Sequence, residues 1–397
     1  MYTVACPGTI GGQLRAVNVA GKAGQMNYAQ LEETRDALLA ELEGGCDEYE
    51  FITSARFQAT RPFGDRTAPS QRLSIGYLVT APGEFQLALG HRPGSKTRRF
   101  VAGLKERIEQ RLGEAVRVVE TADDVQFPDA AALANPPRFE ALWERDRPVH
   151  LGQAVAHARG GAGSIGGFVE DADDGEICFI SCSHVIGLGG KADIDRPYTE
   201  NRIYQPAKIG PVGSYRVTDS IAYLKDVMAL DFDRALTSDS AVARIHPTKA
   251  AGVANRIPNT RYKFKFAGRD VKPLPSEEKL VAGTRIYKIG CSTGMTQGTI
   301  DLWEEKNVPI GGSDDGTYTF DNCISVRWNR DDTGRQVPFS LAGDSGGLCF
   351  AEVDDELLAV GLVFGTGSFK EDGALVRVTY VSPLSDILSE FNLEWIE

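Results

Sequence analysis

From about residue 146 onward the sequence breaks into short runs rich in Val, Ile, Phe, Tyr and Thr, separated by glycine-containing turns. Asp174-Gly175, Asp315-Gly316 and Asp372-Gly373 each divide two such runs, the pattern of β-hairpins. No convincing helix interrupts them until Pro383 to Phe391, where Leu384, Ile387, Leu388 and Phe391 make one apolar face. A stretch written this way buries its strands as an antiparallel barrel or sandwich, closed by a C-terminal helix.

Residues 1–145 read differently. Asn27 can cap a helix over 28–42, with Gln30 at the capping-box position and Gly44-Gly45 beyond its end. Strand-like runs follow at 49–58, 72–79 and 84–89, the last two joined at Ala81-Pro82-Gly83. A second helix carries Phe100, Leu104, Ile108 and Leu112 on one side, and a strand follows over 115–120. This is a small α+β domain without a chemical motif. Prolines and alanines over 127–150 suit a connection with one short helix around 139–143. Two domains, 1–145 and 146–397, fit a chain of 397 residues.

A net charge of -12 argues against a nucleic-acid or anionic-membrane partner. The first residues lack a basic segment followed by an apolar run, so no secretory signal is visible. The longest apolar stretch, 357–364, is far short of the roughly 20 residues that span a bilayer. Seven cysteines without a C-x-x-C pair fit free thiols better than a disulfide framework or a zinc site. The expected location is the cytoplasm. The acidic run 170–175 has the wrong spacing for a calcium loop and reads as a solvated hairpin, and 160–166 lacks the Lys-Ser/Thr ending of a phosphate loop. No cofactor or metal is expected.

The chemistry centres on Gly343-Asp344-Ser345-Gly346-Gly347. Glycines on both sides let a serine hydroxyl stand clear of the backbone while a substrate carbonyl approaches, although a Gly-rich turn with an incidental serine has the same composition. A nucleophilic serine needs a base, and histidine is the usual one. Of His91, His150, His157, His184 and His246, only His184 directly follows an apolar strand that ends in small residues, Ile177 to Ser183. The motif also satisfies the nucleophile elbow of α/β-hydrolases, but that fold places its histidine after the serine and none follows position 246. The aspartate-first order of subtilisin belongs to an α/β chain. The order histidine, aspartate, serine remains. Asp239, at the start of the apolar run 241–245, is the preferred orienting carboxylate, and Asp231 and Asp233 are competitors that look more like turn residues.

Ser181-Cys182-Ser183-His184-Val185, Asp239-Ser240-Ala241-Val242-Ala243 and Gly343 to Gly347, in that order, resemble the trypsin/chymotrypsin-like serine peptidases. More narrowly, Gly290 to Gly298 looks like the G-x-T-T-G-x-T-x-G turn of intracellular bacterial trypsin-like peptidases and the related plant narrow-leaf serine protease. Ile203 to Pro206 and Val360 to Gly365 fit the same group. The resemblance, over about 150–390, implies two six-stranded antiparallel β-barrels with a triad between them. It implies Ser345 as nucleophile, His184 as base and then acid, Asp239 as orienting carboxylate, and the N–H groups of Gly343 and Ser345 as oxyanion hole. Phe339 stands where trypsin-like specificity has an aspartate, which turns expectation away from Arg or Lys at the cleavage site; Phe339, Phe364, Gly365 and Thr366 are the expected substrate-pocket residues. In secreted members a newly cleaved N-terminus pairs with the aspartate matching Asp344, a route at odds with a whole domain preceding the catalytic half.

The expected function is thus an intracellular serine endopeptidase whose partner is a protein or peptide substrate, regulated by residues 1–145 or by an activating protein partner. A scaffold that keeps the barrels and cleaves nothing would carry the same residues.

Overall fold

The computed structural model describes residues 3–5, 32, 35, 73–81, 84–91, 95–112, 115–121, 125–126 and 139–397, apart from 196–199, 208–214, 232–233, 261–262, 277, 307, 312–316 and 372. The expected helix over 28–42 and strand over 49–58 lie outside the described residues except for Glu32 and Arg35, as do the turn residues Asp315-Gly316 and Asp372.

The mainly β character holds. Among the described residues one sheet has eight strands, in the order Leu393–Trp395, Gly167–Asp171, Ile177–Ser181, Ala241–Ile245, Ser220–Val227, Arg202–Tyr204, Ala154–His157 and Ala162–Ser164. The hairpin read at Asp174-Gly175 joins its second and third strands, with Gly175 at φ +70. Cations engage its acidic turn: Lys225 Nζ lies 2.7 Å from Asp171 and 2.6 Å from Asp174, and Arg244 pairs with Glu176. The expected C-terminal helix is Leu384–Glu390, and the chain then adds a strand that periodicity did not reveal, Leu393–Trp395, on the edge of this sheet.

The second sheet has fourteen strands among the described residues. The resemblance implied six in each barrel; here four strands from before residue 145 join ten C-terminal ones in this sheet. Leu73–Ala81 pairs antiparallel with Gly294–Lys306, setting Tyr77 opposite Trp303, and Arg117–Thr121 pairs with Glu356–Glu371 at Thr121 and Phe369. Strand Glu84–His91 lies between Leu73–Ala81 and Arg117–Thr121, and helix Ser95–Leu112 buries Val101, Leu104 and Ile108. A hairpin alone is marginal in water, so this unit gains from borrowing a sheet edge. Polar contacts reinforce the junction: Arg117 donates to Asp301 at 2.8 Å and to Glu371 at 2.8 Å, and Arg327 donates to the same two carboxylates.

Two apolar clusters result. One gathers residues of both sheets, including Phe168, Phe179, Ile203, Phe320, Phe364 and Tyr380. The other joins the early strands to the larger sheet through Tyr77, Leu89, Ile286, Ile300 and Phe339. At the seam between the two sheets the Ser345 backbone carbonyl accepts from Ser164 N.

Candidate active site

Strands Ile177–Ser181 and Ala241–Ile245 are antiparallel neighbours with Ser181 opposite Ala241. The residues after the first and those before the second therefore emerge at one end of the sheet. There the chain turns through the short helix Ser183–Ile186, which carries His184, while Asp239 lies just before the second strand with no exposed surface. The His184 backbone N–H donates to Asp239 Oδ1 at 3.0 Å, and the ring Nδ1 hydrogen-bonds Oδ2. A carboxylate there accepts the Nδ1 proton, so a neutral ring keeps Nε2 as its basic nitrogen. Asp239 N donates to Ser382 Oγ at 3.3 Å, which anchors the acid to the larger sheet.

Ser345 precedes strand Leu348–Val353 of that larger sheet. Gly343 at φ +95 and Gly346 at φ +80 bracket it, in backbone conformations that side chains disfavour. The Gly346 case is also steric: a Cβ there would lie 2.2 Å from Ser181 Oγ and 2.6 Å from the Ser164 carbonyl. The missing side chain lets the serine turn press against the segment that leads to His184. One carbonyl completes the join, since Val363 O accepts from Gly346 N at 2.8 Å and from Cys182 Sγ at 3.1 Å. Across the seam, Ser164 N donates to Ser345 O at 2.8 Å. The Ser345 hydroxyl is buried and makes no hydrogen bond among the described residues. Among the described residues the N–H groups of Gly343 and Ser345 also make none.

Asp344 is fully buried beside the serine. Its Oδ1 accepts from Ser292 N at 2.9 Å and Thr293 N at 3.1 Å, and its Oδ2 from Thr293 Oγ1 at 2.7 Å and Leu341 N at 2.9 Å. Lys288 Nζ, also without exposure, lies 3.1 Å from Oδ2. Paired charges that fill their hydrogen-bonding capacity are the form in which burial is tolerated.

Sequence reasoning assigned no site role to three of the contributors. Ser164 Oγ donates to Gly343 O and accepts from Cys291 N, each at 2.9 Å. Cys291 Sγ reaches the same Gly343 carbonyl at 2.9 Å. Lys288 had one available signal, a charge in the middle of the otherwise apolar run 286–290.

Cys182, His184 and Asp239 offer ligand atoms within 4.8 Å of one another. Burial pushes the Cys182 thiol well above 9, so it stays an S–H donor to Val363 O rather than a metal-binding thiolate. Burial likewise pushes Cys291 up to about 12.

The remaining candidates are placed as follows. Asp231 lies half-buried on the surface, 3.9 Å from Arg234, and Asp233 is outside the described residues. His150 pairs with Asp146 at 3.2 Å, His246 bonds Ser220 at 2.9 Å, and the buried His157 accepts from Arg159 N at 3.1 Å. Of the four expected pocket residues, Phe339 and Phe364 have no exposed surface and belong to the two apolar clusters, Gly365 is buried, and Thr366 is half-buried. The Phe339 carbonyl hydrogen-bonds Thr296 Oγ1, so its backbone faces the 294–298 strand.

No family model and no curated protein matches the chain. Three solved structures similar to it are a glutamic acid specific serine protease that uses a histidine triad in substrate binding, a protease of Nocardiopsis, and protease A of Thermobifida fusca. The first is 17% identical and covers 62% of this chain and 100% of its own, at a TM-score of 0.41. The second is 16% identical, covers 62% and 98%, and scores 0.37. The third is 14% identical, covers 62% and 97%, and scores 0.37.

Proposed function

We propose that this protein is a serine endopeptidase in which Ser345, His184 and Asp239 form a catalytic triad. The observation that carries the reading is the placement of Asp239 under His184, receiving both its backbone N–H and its Nδ1, at the sheet end against which the Ser345 turn is bonded through Val363.

In this mechanism Ser345 Oγ attacks the scissile carbonyl carbon while His184 Nε2 takes the hydroxyl proton. Asp239 fixes the tautomer that leaves Nε2 basic and stabilises the imidazolium that forms. The oxyanion is received by the N–H groups of Gly343 and Ser345, and such preorganised donors often supply the largest single share of the rate. When the C–N bond breaks, Nε2–H protonates the departing amine, and the acyl group remains on Oγ. Water then repeats the sequence, giving its proton to Nε2 and releasing the acid as the serine recovers its hydrogen.

The cleavage preference proposed is a small or apolar side chain, since Phe339 brings no charge to the position that would select Arg or Lys. A reducing intracellular setting is proposed on the five described cysteines, all free and buried. Among the described residues no helix is long and apolar enough to cross a membrane. Hydrolysis of a fluorogenic peptide library by the full chain, lost in both Ser345→Ala and His184→Ala, is the expected result; hydrolysis persisting in Ser345→Ala would refute the assignment.

A further inference from the structure

The turn that holds Asp344 is itself gripped by residues from before position 145. Phe139 N donates to the Cys291 carbonyl at 2.9 Å, and Trp143 Nε1, at the end of the short helix Glu140–Trp143, donates to the same oxygen at 2.7 Å. Phe139 also covers the other end of the turn. Gly294 sits at φ +68, and a Cβ there would lie 2.6 Å from the Phe139 ring. The ring in turn stacks near Phe264, centroid to centroid 5.1 Å.

Between those two grips lie Ser292 and Thr293, whose two N–H groups and one hydroxyl supply three of the hydrogen bonds to the Asp344 carboxylate. Lys288 reinforces the same turn, donating to Gly294 O at 3.2 Å and to Thr293 Oγ1 while it faces Asp344 at 3.1 Å. Donors to a buried carboxylate are charge-assisted and directional, so a shift of the turn is a shift of Asp344. Asp344 in turn is bonded to Leu341 N and is joined covalently to Gly343 and Ser345. Gly290 leaves room for this arrangement, because a Cβ there would meet Asp344 Oδ1 at 2.6 Å.

We infer that Phe139 and Trp143 are positioning residues for the nucleophile loop: together with Lys288 they set the 291–294 turn that fixes Asp344, and through it Gly343 and Ser345. The inference rests on the proposed peptidase reading for its consequence, though not for its physical content. The segment before the catalytic half is then part of the active-site framework. Anything that pulls 139–143 away from Cys291 loosens the serine loop, with no change in the residues that react.

The test uses the full chain carrying Trp143→Phe, which keeps an aromatic ring and removes the indole N–H. Amide hydrogen exchange is followed over 291–294 and 341–346, with Ile177–Ser181 as an internal reference. Beside it runs the rate at which a fluorophosphonate labels Ser345. Expected are faster exchange in both segments, an unchanged reference strand, and labelling slowed on the order of tenfold, the weight of about one net hydrogen bond, with the loss in the maximal labelling rate rather than in the reagent concentration that half-saturates it. Faster exchange confined to 291–294, or unchanged in both segments, would overturn the inference. Exchange decides even for an unreactive wild type; absent wild-type labelling would count against the peptidase reading alone. Phe139→Leu, which trims the contact with Gly294, serves as the second variant should Trp143→Phe fail to fold, with the same outcomes expected.

Discussion

Asp239 receives two hydrogen bonds from one residue, from the main-chain N–H of His184 at 3.0 Å and from its ring Nδ1, so a single carboxylate orients both the loop and the imidazole. Asn at position 239 keeps one oxygen and turns an N–H toward the second donor. Asp239→Asn is expected to lower kcat on the order of 10⁴-fold, because the ring is left in the wrong tautomer, with KM changed by no more than about threefold. Steady-state hydrolysis of a peptide ester checks this, and a loss confined to KM would contradict the role given to Asp239.

The serine turn depends on a glycine. At Gly346 a methyl group meets Ser181 Oγ and the Ser164 carbonyl, at φ +80. Gly346→Ala is expected to cost about 2 kcal/mol or more in unfolding free energy and to abolish labelling of Ser345, since the turn can relieve the contact only by leaving the His184 segment. Denaturant unfolding and labelling, read together, test it.

Two buried groups outside the proposed triad give opposite pH responses. Burial, with Asp301 nearby, pushes the Glu305 carboxyl from 4.5 up to about 7, and Ser74 Oγ donates to it at 2.5 Å. An acid raised in the folded state binds its proton more tightly there than in the unfolded chain. Its contribution is most favourable below 4.5 and falls as pH rises to about 7, by about 3 kcal/mol. Glu305→Gln should remove that decline relative to wild type, as read by chemical denaturation from pH 4 to 8.

His157 runs the other way. Burial pushes its imidazole from 6.5 down to about 4, with Nδ1 already engaged by Arg159 N. The unfolded chain takes up the proton first, so stability is full above 6.5 and falls by about 3 kcal/mol as pH drops to about 4. His157→Gln is expected to lessen the acid sensitivity of wild type over that window. Identical pH profiles for the variant and wild type would contradict this.

The parts of this protein that could be read from sequence are those whose signal is local. His184 follows a strand ending in small residues, Asp239 precedes another, and glycines bracket Ser345; each is a run of five to ten residues. The C-terminal helix and helix Ser95–Leu112 announced themselves by apolar spacing, and both are present. What stayed hidden is long-range pairing. Alternation in Leu73–Ala81 shows a strand but not that its edge partner is Gly294–Lys306, which makes the early unit an extension of the larger sheet. Phe364 lies in an apolar run buried on both faces, where periodicity cannot tell a pocket wall from a core residue, and the structure places it in the core beside Phe320 and Tyr380. Ser164 and Lys288 acquire their roles only from partners brought across the seam, Gly343 and Asp344.

Whether Ser345 is an activated nucleophile is read from the mass of the intact chain after exposure to a fluorophosphonate. One adduct is expected on the wild-type chain and none on Ser345→Ala, with His184→Ala labelled far more slowly than wild type. An adduct of equal yield on Ser345→Ala, or no adduct on a folded wild-type chain, would contradict an activated Ser345.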